Sequence, residues 1–279
     1  MDIYISPNQS LDQVLAENPN PGVTFRYSPG LYTTAGWQWN GLKTARIGQS
    51  HIGSGIGKTI IQLVGVTLGT DNGVIFGADW NWVSGFTVSD MTLDLNCSIK
   101  ATAGVGIWGG DTIKIQRVEF INFGSPISGV ECFPCHIFGP SRIPPTTLHD
   151  IVIDACIFRN PISGNKDGCS MVAINESQPG LTFSGQNIMV NNCRFYDCRS
   201  DFSYMHCIGA PVVQNNIAIN SGVFYYSEPH NSPIWSDVGI TIQNNVVING
   251  EEFFMSNPGG GGSIAAFIRF KDNVQLTMN

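Results

Sequence analysis

The chain has 279 residues with 32 glycines, 13% charged residues and a formal net charge of −7. A nucleic-acid partner and an anionic membrane surface both require a basic face, so this balance excludes them as expected partners. No run of eighteen apolar residues marks a membrane span, and sparse helix formers with abundant glycine favour turn-dense β structure.

Met1-Asp-Ile-Tyr-Ile5 opens as a strand-like segment and not as a signal peptide. The sequence alone is compatible with a cytosolic protein, a processed secreted form or a virion protein, and leaves the localisation open. Ser10-Leu-Asp-Gln13 has the form of a capping box, in which Ser10 caps a helix and Gln13 bonds back to it. That helix is predicted to run to about Glu17 and to end at Asn18-Pro-Asn-Pro-Gly22. Residues 1–21 are therefore expected to form an N-terminal cap, with residues 22–279 as one β domain. Gly22 to Tyr32 reads as a strand, a Pro-Gly turn and a second strand.

Gly53-Ser-Gly-Ile-Gly-Lys58-Thr59 lacks the spacing of a phosphate-binding loop and has no long helix after it, so it is expected to be a turn between coils. Trp80, Trp82 and Trp108 are expected to fill the interior of wide coils rather than to stack on sugars.

The strongest signal begins at Val88. An apolar residue followed by two small or polar residues, and then a turn into more apolar residues, recurs at Val88-Ser-Asp-Met91, Ile115-Gln-Arg-Val118, Ile153-Asp-Ala-Cys156 and Val190-Asn-Asn-Cys193. It continues at Val213-Gln-Asn-Asn216, Ile242-Gln-Asn-Asn245 and Phe270-Lys-Asp-Asn273. Intervals of 27, 38, 37, 23, 29 and 28 residues separate the fourth positions. A minimum in the low twenties with variable excess fits stacked coils that carry loops of different length. Equivalent side chains of coils stacked about 4.8 Å apart form columns, and asparagines repeated at one turn can bond along such a column and satisfy backbone groups left open by the bend.

A second strand set lies between these phrases, at Gly104–Trp108, Val130–Phe133, Ser170–Glu176, Tyr204–Ile208, Val223–Glu228 and Phe253–Asn257. It would place Glu131, Asn175, Glu176, His206, Tyr225, Tyr226, Glu228 and Asn257 near one face or its rim. The longest connections, Gly124 to Asp150 and Asn160 to Gln186, are where a rigid scaffold usually carries its site. The eight cysteines are irregularly spaced. Cys132-Phe-Pro-Cys135-His136 has no second ligand pair at zinc spacing, so structural thiols are expected, with neither a metal nor a cofactor. The sequence stops at Asn279 directly after a repeat strand, which reads as a partner-covered end or a fragment.

The opening helix, the segment Phe25 to Tyr32 and the Val-Gln-Asn-Asn and Ile-Gln-Asn-Asn phrases together resemble the pectin lyase-like superfamily. The resemblance implies an all-β fold, a single-stranded right-handed parallel β-helix solenoid of roughly eight coils with a short N-terminal capping helix. Members include polysaccharide lyases, glycoside hydrolases, epimerases, phage tailspikes and non-catalytic adhesins. Polygalacturonase-like members carry Asn-Thr-Asp, an Asp pair, His-Gly and Arg-Ile-Lys in that order. Here Asn165-Lys-Asp167, Ser200-Asp201, His206 and Arg269-Phe-Lys271 depart from each of those motifs.

By this analogy the expected activity is polysaccharide cleavage by a glycoside hydrolase with paired carboxylates. Glu176, Asp201, His206 and Glu228 are its catalytic candidates, and Tyr225, Tyr226, Lys166 and Arg199 its substrate-binding candidates. If Glu176 and Glu228 share a column two coils apart, their spacing of about 9.6 Å falls at the edge of the inverting range. The acidic field and the absence of an Asp-rich calcium cluster disfavour a lyase acting on polyanions and point weakly to a neutral glycan. The alternative is a non-catalytic glycan-binding or structural β-helix, which as a tailspike-type module would assemble as a trimer.

Overall fold

The computed structural model describes residues 1–36, 44–64, 73–78, 83–96, 101–124, 133–138, 149–161, 171–175, 186–198, 202–205, 211–228, 239–256 and 267–278. Its strands pair in parallel, each with the strand one coil away, and form an 18-stranded sheet and a 7-stranded sheet. The chain is a parallel β-helix with three faces. Corners divide the larger sheet into a first and a second face, and the seven strands from Gly73–Ala78 to Glu252–Ser256 form the third.

The repeated phrase fixes the register. Val88, Ile115, Ile153, Val190, Val213, Ile242 and Phe270 pair one to the next, in the order in which the sequence repeats them. The same column continues upward through His51, Phe25 and Ile3, which lie on rungs without the phrase. Among the described residues the first face therefore has ten rungs, Asp2–Ile5 being the uppermost, where the sequence predicts roughly eight coils. Asp2–Ile5 pairs with Thr24–Tyr27, so the segment expected as a cap also supplies a rung.

The corner between the first and second faces explains the phrase. Asp90, Arg117, Ala155, Asn192, Asn215, Asn244 and Asp272 all have φ between 52° and 59°, the left-handed region that Asn and Asp tolerate best. The following residue turns inward. At Met91, Val118, Cys156 and Cys193 it is an apolar residue or a thiol, fully buried. At Asn216 and Asn245 it is a buried amide. Asn216 Nδ2 donates to Asn245 Oδ1 at 2.9 Å, and Asn245 Nδ2 donates to Asn273 Oδ1 at 2.9 Å. The same amides donate to the carbonyls of Val190 and Val213, at 3.1 Å each, and so satisfy backbone acceptors that the bend would leave open. Beyond this corner, Phe120, Phe158 and Phe195 stack nearly parallel, with centroids 4.8 and 4.9 Å apart. That spacing matches the coil rise, so ring stacking and strand pairing reinforce each other.

Helix Leu11–Glu17 packs Leu11, Val14 and Leu15 into the core. The Ser10 side chain accepts from Gln13 N at 3.4 Å, as the capping box predicts. The Gln13 side chain instead donates forward to Glu17 Oε1 at 2.7 Å, an i,i+4 bond along the helix, so only half of the box forms. The Pro29-Gly30 turn packs closely, since a Cβ on Gly30 would meet Pro7 Cγ at 2.2 Å.

The Gly53–Lys58 segment joins two strands of one coil, Ser50–Ile52 and Thr59–Leu63, rather than successive coils as the sequence suggests. Its backbone bonds to the rung below explain its glycine, because a Cβ on Gly53 would lie 2.1 Å from the Asp90 carbonyl oxygen. Gly53→Ala is expected to destabilise the protein by about 1–3 kcal/mol, read as a lower denaturant midpoint with an unchanged slope. An unchanged midpoint would show that the rungs can separate there at no cost.

Candidate functional site

The three corners differ in the chain they carry. First-face and second-face strands are joined by two residues in six rungs and by at most six (53–58). Connections entering the third face reach thirteen residues (122–134), and those leaving it are ten residues long at 139–148, 176–185, 229–238 and 257–266. The tight corner also spends its polar groups on itself. Arg117 makes a bidentate pair with Asp90, at 2.6 and 2.8 Å, that holds the Asp90 carboxyl below its usual range. Asn191 and Asn192 donate to Asp154, and Asn215 donates to Asn191. Such stacks hold the coil together and leave few groups for a ligand, whereas the third face has long connections on both borders.

Two register columns of the third face alternate with the buried columns of Val105, Cys135 and Val172 and of Ile107, Ile137 and Ile174. One runs Gly77, Gly106, His136, Ala173, Ser203, Tyr226 and Met255. The other contains Trp108, Phe138 and Asn175, and Met205 paired with Glu228. Continuing the Ala173–Ser203 register by two residues sets Asn175 against Met205, so Glu228 shares its column with Asn175 and not with Glu176, as the sequence reading supposed. Strand alternation makes that one-residue difference a change of face.

Of the catalytic candidates, Glu228 ends strand Val223–Glu228, while Glu176, Asp201 and His206 lie outside the described residues. Lys166, Asp167, Arg199, Glu131, Asn257, Trp80 and Trp82 also lie outside them. Tyr226 occupies the outer column. Tyr225 does not belong to the surface set: it is 1% exposed, and its ring stacks on Phe254 at 5.9 Å. Two consecutive strand residues cannot face the same side, and the core takes Tyr225. The expected strand Val130–Phe133 is replaced in the sheet by Cys135–Phe138, and Gly73–Ala78 is a further strand.

His136 is the outer-face residue that the sequence reading left unused. It stands between Gly106 and Ala173 in the register, with Phe133 as a ring neighbour at 4.7 Å. Burial lowers its pKa to about 4, so it is neutral at physiological pH and able to exchange one proton or hydrogen bond. The signal for it was the alternation Cys135-His-Ile-Phe138, with apolar residues at the inward positions. Cys135 faces the core, where burial raises its thiol pKa well above the usual value. Cys135 and His136 thus lie on opposite sides of one strand and cannot share a metal ion. The described thiols Cys135, Cys156, Cys193 and Cys198 are free and buried. Among the described residues no group of His, Cys, Asp and Glu is arranged to hold a metal.

No family model matches the chain, and no curated protein matches it. Among solved structures it is similar to the A-module of Azotobacter vinelandii mannuronan C-5 epimerase AlgE6, with 15% identity, a TM-score of 0.37, and coverage of 97% of this chain and 94% of that one. The AlgE4 A-module from the same organism gives 14%, 0.35, 96% and 90%. The Streptococcus pneumoniae surface protein and adhesin PfbA gives 10%, 0.36, 95% and 94%. The parallel β-helix itself is established by the strand pairing.

Proposed function

We propose that the protein handles a polysaccharide along the outer side of the third face, and that its activity is glycoside hydrolysis with Glu228 as one of the participating carboxylates. The observation that carries this reading is that six connections of ten residues or more (122–134, 139–148, 160–171, 176–185, 229–238 and 257–266) border that one face. An extended polymer suits such a surface because successive sugars can meet successive coils. Residue types that sugar recognition uses, His136, Tyr226, Asn175 and Glu228, fall in these two register columns. Small residues at Gly77, Gly106 and Ala173 keep the floor low. Asp201, His206 and Glu176 remain candidates for the second carboxylate and the assisting groups, with Lys166 and Arg199 as binding candidates.

The test is incubation with neutral and acidic polysaccharides, following both new reducing ends and absorbance from unsaturated uronates. Reducing ends without absorbance, lost at least a hundredfold in Glu228→Gln, are expected. Absorbance would replace the hydrolase by a lyase. Silence in both channels with binding retained would leave a glycan-binding module.

A further inference from the structure

At the corner between the first and second faces, Cys156 and Cys193 occupy consecutive rungs of the inner column. Asp154 pairs with Asn191 before them and Ile157 with Arg194 after them, so the register runs unbroken through both. The residues that precede them, Ala155 and Asn192, have φ of 53° and 55° and turn both side chains inward in the same way. Arg194 N donates to the Cys156 carbonyl at 2.9 Å, which ties the two corners together. Cys156 Sγ donates to the Asp154 carbonyl at 3.4 Å and Cys193 Sγ to the Ile153 carbonyl at 3.8 Å, so both sulfurs gather at one rung. The two thiols are close enough to interact directly.

Below this pair the column is joined side chain to side chain, Asn216 to Asn245 and Asn245 to Asn273. Cys156 and Cys193 are the other consecutive pair in it whose chemistry permits a link. Parallel rungs stand about 4.8 Å apart, inside the roughly 4.4–6.8 Å that separates Cα atoms across a disulfide.

We propose that Cys156 and Cys193 form a disulfide site, linked or open according to the redox poise around the protein. The oxidant is a small disulfide such as oxidised glutathione. One cysteine thiolate attacks it, forms a mixed disulfide and releases one small thiol. The second thiolate then attacks the protein sulfur, forms the Cys156–Cys193 bond and releases the second small thiol. The protein pair is oxidised by two electrons, the small disulfide is reduced by two, and the two protons end on the released thiols. The bond closes a ring of 38 residues, one full coil, which holds the third-face strand Val172–Asn175 and both of its long connections, 160–171 and 176–185. Closing so long a ring restricts the unfolded chain and stabilises the coil. Both cysteines are fully buried, and burial raises the Cys193 thiol well above its usual pKa, so exchange proceeds only as these rungs part.

The test is to unfold and reduce the full chain, refold it with oxidised or with reduced glutathione, and map unreduced peptides by mass spectrometry. Oxidising refolding is expected to link Cys156 to Cys193 and to raise the thermal midpoint by about 5 °C or more over the reduced protein. The folded, reduced protein is expected to gain the same bond from oxidised glutathione, at a rate that rises in sub-denaturing urea. Cys193→Ala is expected to lose both the bond and the gain in midpoint. Cys135→Ala, which removes a further thiol that interacts with Cys156, is expected to keep both. A bond from Cys156 or Cys193 to any other cysteine, glutathione adducts in place of the bond, or thiols that stay free through oxidising refolding would overturn the site. A linked protein with an unchanged midpoint would overturn the stabilising ring. The mapping uses the unsubstituted chain, so it decides even where a variant fails to fold.

Discussion

Lowering the pH from about 6.5 toward 3 is expected to remove roughly 4–5 kcal/mol of stability through His51 alone. This imidazole occupies the inner column between Phe25 and Val88 and is fully buried. It stacks on Phe25 at 4.9 Å and leans on Phe76 at 4.4 Å and Phe86 at 5.6 Å. Nδ1 meets the Tyr27 hydroxyl at 2.8 Å, whereas Nε2 is buried with no hydrogen-bond partner. Burial therefore depresses its pKa from 6.5 to about 3, since an aromatic box offers nothing to solvate a cation. Among the described residues, the titratable groups facing it are the phenols of Tyr27 and, behind it, Tyr32; burial raises both pKa values, so both stay neutral across this range.

The sign follows from which state binds the proton. Above pH 6.5 neither the folded nor the unfolded chain protonates this residue, and its contribution is constant. Between 6.5 and 3 the unfolded chain takes up the proton and the folded chain does not, so stability falls by about 1.4 kcal/mol per pH unit. Denaturant midpoints of the wild type and of His51→Leu, measured at pH 7, 5 and 4, isolate this slope. The variant is expected to start less stable, because the Tyr27 hydroxyl loses its partner, and then to lose less as the pH falls. His136 titrates in the same direction in both proteins and cancels. Parallel pH profiles for the two proteins would sink the prediction.

The second large effect is expected at Asn245. Its Oδ1 accepts both the backbone N–H of Asn216, at 3.0 Å, and the Asn216 amide, at 2.9 Å. Its Nδ2 donates to the Val213 carbonyl at 3.1 Å and to Asn273 at 2.9 Å. Asn245→Ala leaves a buried N–H, a buried amide hydrogen and a buried carbonyl without partners, each costing about 1–3 kcal/mol, for a total of roughly 3–9 kcal/mol. Asn249 offers the control. It donates to Asn220 and accepts from the Met278 N–H, but on an exposed corner where water can replace both contacts. Asn249→Ala should cost about 1 kcal/mol, most of it from placing Ala at φ 53° and little from the lost hydrogen bonds. Equal losses in thermal or denaturant unfolding would show that burial is not what gives the inner amides their weight.

The register was legible from Val88 onward for a physical reason. Each coil meets the same corner, so each needs a residue tolerant of positive φ followed by one that fits the interior, and the sequence repeats because the environment does. The first three rungs lack the phrase because their corners use other chemistry, Ser28-Pro29 in one and the glycine-rich Gly53–Lys58 in the next. Gly73–Ala78 escaped because it is buried on both sides and shows no alternation. Val130–Phe133 and Cys135–Phe138 both alternate acceptably, and the corner residue that precedes them, Asn122 at φ 54°, lies too far upstream to fix the register of either. The functional surface was less legible still. Its columns join residues from different coils, and a shift of one residue is enough to separate Glu228 from its supposed partner and to turn Tyr225 inward.

The inner columns that make the coils alike also make them chemically unlike along the axis. An imidazole in an aromatic box lies near the start, thiols at Cys156 and Cys193 lie midway, and amides follow from Asn216 onward. Each rung touches mainly its neighbours, so each kind of insult has its own address. Acid acts most strongly on the early coils through His51 and less on the middle through His136, oxidants find their targets in the middle only once those rungs part, and loss of hydrogen-bond partners unravels the late coils. A single fold thus carries its susceptibilities in sequence order, and the agent that unfolds it selects the end from which it opens.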